Sequence, residues 1–172
     1  KKGVEASSGD WVLTMDADCA SSPCEILEWN LKQFIDLKNP QNTLYIGSRE
    51  HTQSNILDSL HRRIIGRIFN LLIKKITNLE IDDTQCGFKI WSRQAAKKIF
   101  PAQHLERWAF DLELLFLSYR SEIPVVEVPV KWEDKEGSHL DVVDASSQMI
   151  RDMILIKCLY AFRVWKVDDY HF

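Results

Sequence analysis

The sequence lacks several features that would assign it to a familiar class. It contains no run of about 18 uncharged apolar residues, so we expect no membrane-spanning segment. Its four cysteines form no CxxC pair and no zinc-site spacing, which predicts reduced thiols facing the cytosol. It has no glycine-rich phosphate loop, and its net charge of −3 gives no reason to expect nucleic acid as a partner. An apolar content of 45% is that of one globular domain.

An acidic pair follows directly after a strand pattern. Residues 11–15 form an apolar run that ends in Asp16 and Asp18. Two carboxylates at this spacing point the same way on an extended backbone. Such a pair suits Mg²⁺ or Mn²⁺, whose remaining ligands come from water and substrate phosphates. A polar turn, or an N-cap for the next helix, explains the same residues.

Alternating strand and helix patterns predict the fold. Strands are expected at 11–15, 43–47 and 125–130, with the first buried on both faces. Residues 81–90 are expected to form a loop and a short strand, and 132–141 a polar loop. Helices are expected at 4–8 (closed by Gly9), 21–37, 56–79, 94–100, 111–119 and 146–166. This order predicts an α/β protein with a mostly parallel sheet flanked by helices.

Arg49 follows the second predicted strand. Ligands of an open α/β sheet lie at the carboxyl ends of its strands, so Arg49 is expected near the acidic pair. Its planar fork could grip phosphate oxygens. A surface arginine paired with Glu50 or Asp58 is the alternative.

Five ordered motifs carry a family resemblance. They are DAD at 16–18, GSR at 47–49, DTQCGFK at 83–89, ERWAFDLELL at 106–115, and VKW at 130–132 with EGS at 136–138. In this order they resemble the inverting family-2 glycosyltransferases that charge polyprenyl phosphates. The ERWAFD and EGS segments look most like members that transfer glucose to dolichyl phosphate. Members that transfer mannose from GDP-mannose are the close alternative.

The resemblance implies a GT-A (Rossmann-like) fold and a set of roles. Asp16 and Asp18 would bind Mg²⁺ or Mn²⁺ on the diphosphate of UDP-glucose, and Arg49 would bind the donor phosphates. Asp111 matches the position of a catalytic acidic residue. The acceptor and sugar side would be formed by Gln85, Lys89, Trp108, Glu113 and Trp132.

The role of Asp111 is open on chemical grounds. A dolichyl phosphate acceptor is already anionic at neutral pH and needs no proton removed before it attacks. Asp111 could instead orient a sugar hydroxyl or a cation. The preference of helix N-termini for acidic residues also explains Asp111 and Glu113.

Two basic, apolar segments suggest a membrane surface as a partner. Residues 56–79 and 149–166 combine arginine and lysine with apolar side chains, as helices in a membrane interface do. Packing of an apolar stripe against the sheet is an equal alternative for 56–79, and the interface is favoured for 149–166. The resemblance implies the cytosolic face of the endoplasmic reticulum membrane.

Relatives in this family carry an N-terminal half that would precede Lys1. We therefore expect the chain to be part of a longer protein, with residues 1–145 the C-terminal portion of a GT-A catalytic domain and 146–172 a basic amphipathic helix. Alone, these residues are expected to bind UDP poorly. A non-catalytic, membrane-associated fragment is the remaining alternative.

Overall fold

The computed structural model describes residues 1–57, 60–106, 109–133 and 142–162. The helices are α1 Lys2–Ala6, α2 Glu25–Leu31, α3 Leu60–Thr77, α4 Arg93–Ile99, α5 Ala109–Arg120 and α6 Val142–Ala161. The strands are β1 Trp11–Thr14, β2 Leu44–Ser48, β3 Asn55–Leu57, β4 Lys89–Ser92, β5 Val125–Pro129 and β6 Lys131–Glu133. The predicted alternation of strands and helices is confirmed.

The main sheet has four strands in the order β1-β4-β2-β5. Strand β4 is antiparallel to β1 and β2, whereas β2 and β5 are parallel. Three strands therefore run one way and β4 runs the other. The carboxyl ends of β1, β2 and β5 and the amino end of β4 meet at one edge, which we call the site edge.

A helix–sheet–helix sandwich buries both faces of the main sheet. On one face Val12, Leu44 and Trp91 pack with apolar residues from α3, α4, α5 and α6. On the other face Phe88, Ile90 and Val128 pack with Trp29 of α2. The indole N–H of Trp29 donates to the Pro129 carbonyl over 2.8 Å, which ties α2 to β5. The core fixes the strand ends that carry the site.

Several local predictions are wrong at their boundaries. Only Val12 of β1 is buried, because β1 lies at the end of the main sheet and pairs with β4 alone among the described strands. Helix α1 ends at Ala6 with an extended Ser7, so Gly9 does not close it. Helix α2 ends at Leu31, well short of residue 37. Strand β6 occupies the start of the expected polar loop and pairs with β3.

Helix α6 begins at Val142, so the expected boundary at 145/146 falls inside it. Its buried residues Met153, Ile156 and Tyr160 line the main core. No helix in the described ranges is both long and apolar enough to cross a membrane.

Candidate active site at the strand ends

The acidic pair lies in a tight turn just beyond β1. The Cys19 N–H donates to the Asp16 carbonyl over 3.3 Å, and Cys19 has a positive φ of 53°. The Asp18 carboxylate accepts the Ala20 N–H over 3.0 Å. Asp16 and Asp18 line one narrow cleft together with Gly87 and Trp132. The turn therefore presents both carboxylates to a common opening.

Gly87 makes this arrangement possible by close approach. A Cβ atom placed on Gly87 would collide with all three carboxylate atoms of Asp16. The backbone of residue 87 therefore lies directly against the carboxylate. Sequence reasoning included Gly87 in a motif but gave it no role, although a glycine at this point is the signal of a close contact.

Negative charge at this edge is incompletely compensated. Packing of protein around the Asp16 carboxyl raises its pKa above the ordinary value of 3.8, and the Asp111 charge raises it further. Lys89 opposes that rise. An acid whose ionised form is disfavoured by its surroundings attracts a cation. The oxygen ligands of Asp16 and Asp18 fit Mg²⁺ or Mn²⁺ in chemistry and charge.

The structure limits how such an ion could be held. Within the described parts of the chain, no three acidic, histidine or cysteine side chains converge closely enough to enclose a metal. At most two carboxylates would then bind the ion, leaving positions for water and phosphate oxygens.

Lys89 is buried and bound to Asp111, and its expected role on the acceptor or sugar side stays a prediction. Its side chain is 0% exposed, and its ammonium group donates to Asp111 Oδ1 over 2.6 Å. It also donates to the Cys86 carbonyl. Lys89 is the second residue after Gly87 and the first residue of β4, so it lies at the site edge, where that strand begins.

Arg49 has a partner that neither prediction named. Its Nε and Nη2 atoms donate to the two oxygens of Asp83 over 2.7 and 2.9 Å. Glu50 pairs with Arg67 instead, and Asp58 lies outside the described residues. The guanidinium also lies over the Trp132 ring, 5.5 Å from its centroid. A role for Arg49 at phosphate stays a prediction.

Asp83 organises the loop that contains it. Its carboxylate also accepts the backbone N–H groups of Arg49, Gln85 and Cys86. Burial alone would raise the pKa of Asp83, but the Arg49 charge and these hydrogen bonds more than offset it, so the pKa is lowered. Asp83 was part of a predicted motif without a role of its own.

Gln85 lines a second, larger cleft, and the next residue, Cys86, lines the acidic one. A cleft of about 500 Å³ runs beside α3 and is lined by Arg49, Asn70, Asp83 and Gln85 among others. The backbone amide of Gln85 is fixed by Asp83, and its side-chain amide contacts the Thr84 hydroxyl. Gln85 thus lies where a second substrate could approach.

The remaining predicted site residues do not lie together. Glu113 is fully buried and accepts the backbone N–H groups of His104 and Leu105, and its role on the sugar side stays a prediction. Trp132 lies on the wall of the acidic cleft. Trp108 lies outside the described residues. Burial raises the pKa of the Cys86 thiol to about 11, as expected for a non-nucleophilic cysteine.

Replacing Asp83 with asparagine should destabilise the protein. We expect a loss of about 3 kcal/mol at pH 7, the low end for a buried pair, because the Arg49 side chain is 30% exposed. The folded pKa is lowered, so the ionised form contributes stability above the unfolded value of 3.8, lost as the pH falls through the folded pKa. Urea denaturation should therefore show the difference between wild type and Asp83→Asn shrinking in acid. A difference independent of pH would contradict it.

Replacing glycine with alanine should change the free energy of unfolding in opposite directions at Gly87 and Gly66. Gly87→Ala forces the Asp16 carboxylate aside and should lower the free energy of unfolding by about 1–2 kcal/mol. Gly66→Ala, in α3 with no atom within 4 Å of the new Cβ, should raise it by about 1 kcal/mol. Thermal denaturation of both variants tests this. Equal shifts of the melting temperature would exclude the proposed contact at Gly87.

The known proteins that the chain resembles agree with the chemistry that the site geometry suggests. Residues 1–100 match the family described as glycosyl transferase family 2. The chain is 38% identical to a dolichyl-phosphate beta-glucosyltransferase of Dictyostelium discoideum, covering 98% of this chain and 52% of the relative. It is 34% identical to the Homo sapiens protein of that name, covering 98% and 53%, and 36% to that of Saccharomyces cerevisiae, covering 96% and 52%. The chain spans about half the length of these curated relatives.

A solved structure confirms the fold. Glucosyl-3-phosphoglycerate synthase from Mycobacterium tuberculosis, in complex with uridine diphosphate, superposes with a TM-score of 0.60 at 14% identity, covering 90% of this chain and 52% of that one. The expected GT-A architecture is confirmed by this likeness. Since residues 1–100 of its 172 residues match the family and its fold agrees, the chain belongs to glycosyl transferase family 2.

Proposed function

We propose that the chain forms the catalytic edge of an inverting enzyme that transfers glucose from UDP-glucose to dolichyl phosphate. The observation that carries the proposal is the pair Asp16 and Asp18 in one cleft with surplus negative charge. The names of the relatives support the glucosyl and dolichyl parts. Transfer at the cytosolic face of the endoplasmic reticulum membrane belongs to the same proposal.

Asp16 and Asp18 would hold Mg²⁺ or Mn²⁺. Their carboxylate oxygens and the absence of a third ligand among the described residues match an ion shared with phosphates. When bound, the ion would neutralise charge on the leaving diphosphate.

Asp111 is proposed to orient the donor sugar. One of its oxygens already accepts a hydrogen bond from Lys89, which fixes the carboxylate at the start of α5. The acceptor phosphate is anionic at neutral pH, so the reaction does not depend on a general base. Asp111 is therefore assigned to holding a sugar hydroxyl, one of the roles that the sequence left open.

The larger cleft suits a phosphorylated lipid. Ile56, Phe69 and Leu71 give it apolar walls. Its lining also carries three cationic side chains, each in an ion pair with an acid that lines the same cleft: Arg49 with Asp83, Arg67 with Glu50, and Lys74 with Asp82. A polyprenyl phosphate needs both kinds of surface, apolar for its chain and cationic for its headgroup. The cleft borders Arg49 and Gln85, so the acceptor would meet the sugar beside the acidic pair.

Asp18→Asn tests the proposal most simply. The exposed side chain makes one hydrogen bond to the Ala20 N–H, which an asparagine oxygen can also accept. We expect glucosyl transfer to fall by at least about 10²-fold while the melting temperature stays unchanged. Transfer is measured on the whole protein, with UDP-glucose, GDP-mannose and UDP-GlcNAc as donors. Only UDP-glucose should support it.

Asp10→Asn is the matched control, since Asp10 is also exposed and precedes β1 by one residue. It should leave transfer intact. Full activity of Asp18→Asn would remove Asp18 from the site. Transfer from GDP-mannose alone would establish the mannosyl alternative, and no transfer from any donor would favour a non-catalytic fragment.

Helix α3 supports membrane contact as part of this proposal. Ile64, Ile68, Leu71 and Leu72 are all exposed large apolar residues, at 51, 56, 67 and 42%. They recur at helical spacing beside Arg67 and Lys75. The opposite side of the helix packs through Ile73 into the core. Packing against the sheet therefore explains one face of α3, and membrane contact is proposed for the other. An apolar face with basic neighbours suits an anionic lipid surface.

Vesicle binding tests this contact. Leu71→Asp should weaken binding to vesicles containing anionic lipid by about tenfold, because it replaces apolar surface with a negative charge. Leu31→Asp, on α2 and 80% exposed, should have no effect. Cosedimentation with vesicles measures both. Equal binding of the two variants would place the lipid surface elsewhere, and Asp18→Asn should bind vesicles normally.

A further inference from the structure

The acidic cleft contains a charge balance that the proposed function leaves unexplained. Three carboxylates, those of Asp16, Asp18 and Asp111, interact electrostatically at the site edge. One ammonium group, that of Lys89, lies among them. The charge of Arg49 also acts on Asp16, but Arg49 is paired with Asp83, so that pair adds no net charge. Four carboxylates and two cations leave two negative charges, which one divalent cation neutralises.

Lys89 is placed to determine which acids reach that cation. Its side chain is completely buried, and its ammonium group is fixed at two points, by Asp111 Oδ1 at 2.6 Å and by the Cys86 carbonyl. Asp111 is itself only 13% exposed. A buried carboxylate joined to a buried ammonium group keeps its position strongly, since separating the two leaves both charges unpaired.

We propose that Lys89 is a positioning residue that withholds Asp111 from the metal. This inference rests on the proposed cation at Asp16 and Asp18. By holding the Asp111 carboxylate at the start of α5, Lys89 restricts the ion to the acidic pair. The coordination positions that a third carboxylate would fill then remain available to the diphosphate.

A third carboxylate on the metal would hinder binding of the nucleotide diphosphate. Mg²⁺ and Mn²⁺ bind nucleotides by sharing their shell between a few protein oxygens and the phosphates. A further carboxylate would bind the free ion more tightly but would occupy a phosphate position and repel the diphosphate. Lys89 thus lowers the affinity of the site for the free metal and raises its affinity for the metal–nucleotide complex.

Lys89→Met tests the inference through metal binding, without an activity assay. Methionine has a similar length and suits a buried site. Without its partner, Asp111 should join the ion, so the Kd for Mn²⁺ should fall by about tenfold, equivalent to about 1.4 kcal/mol. Water-proton relaxation of bound Mn²⁺ should show one fewer inner-sphere water than in the wild type. Loss of the Lys89 charge would by itself also tighten Mn²⁺ binding, so the water count decides: a Lys89 that does not hold Asp111 away from the ion would leave the number of inner-sphere waters unchanged.

Two further variants keep the test decisive. In Lys89→Met/Asp111→Asn the charge balance and the ligand set of the wild type return, so both the Kd and the water count should return as well. In Asp111→Asn alone the water count should equal that of the wild type, because Asp111 is not a ligand; this holds even if Lys89→Met fails to fold.

An added water in Asp111→Asn would show that Asp111 binds the metal in the wild type and would overturn the inference. So would an unchanged number of inner-sphere waters in folded Lys89→Met. Absence of Mn²⁺ binding in the wild type would instead overturn the proposed function, which separates the two failures.

Discussion

The buried carboxylate of Asp83 is the contact on which the geometry of the site depends. It joins the end of β2, through Arg49, to the loop that precedes β4, through the N–H groups of Gln85 and Cys86. The residue after Cys86 is Gly87, which lies against Asp16. Two residues later Lys89 enters β4 opposite Thr14, the last residue of β1. Asp83 therefore fixes the loop that shapes the cleft. That loop leads into β4, which carries the buried ammonium group of Lys89.

Two aspartates near each other show how the same side chain serves opposite purposes. Asp83 is surrounded by donors, and its pKa is lowered, so its charge is satisfied within the fold. Asp16 has a raised pKa, because packing and the Asp111 charge disfavour its ionised form more than Lys89 favours it. A satisfied carboxylate stabilises structure, whereas an incompletely satisfied one at an open cleft is available to a ligand. This contrast separates the structural acid from the proposed metal ligand.

Sequence patterns predicted the elements that local chemistry determines. The apolar run before Asp16 and the turn after it are contiguous, so the acidic pair could be placed at a strand end. The reversed direction of β4, the Arg49–Asp83 pair separated by 34 residues, and the burial of Lys89 depend on which strands become neighbours. Glu113 occupies a position typical of helix N-terminal acids, but it accepts the backbone of residues 104 and 105, which no local pattern indicates.

Anomalous diffraction from crystals grown with Mn²⁺ and UDP tests the central claim most directly. The account predicts a Mn²⁺ peak at bonding distance, about 2.1–2.3 Å, from a carboxylate oxygen of Asp16 or Asp18, with the UDP diphosphate completing its shell. A Mn²⁺ ion remote from both aspartates, or UDP bound with its diphosphate away from this cleft, would contradict it.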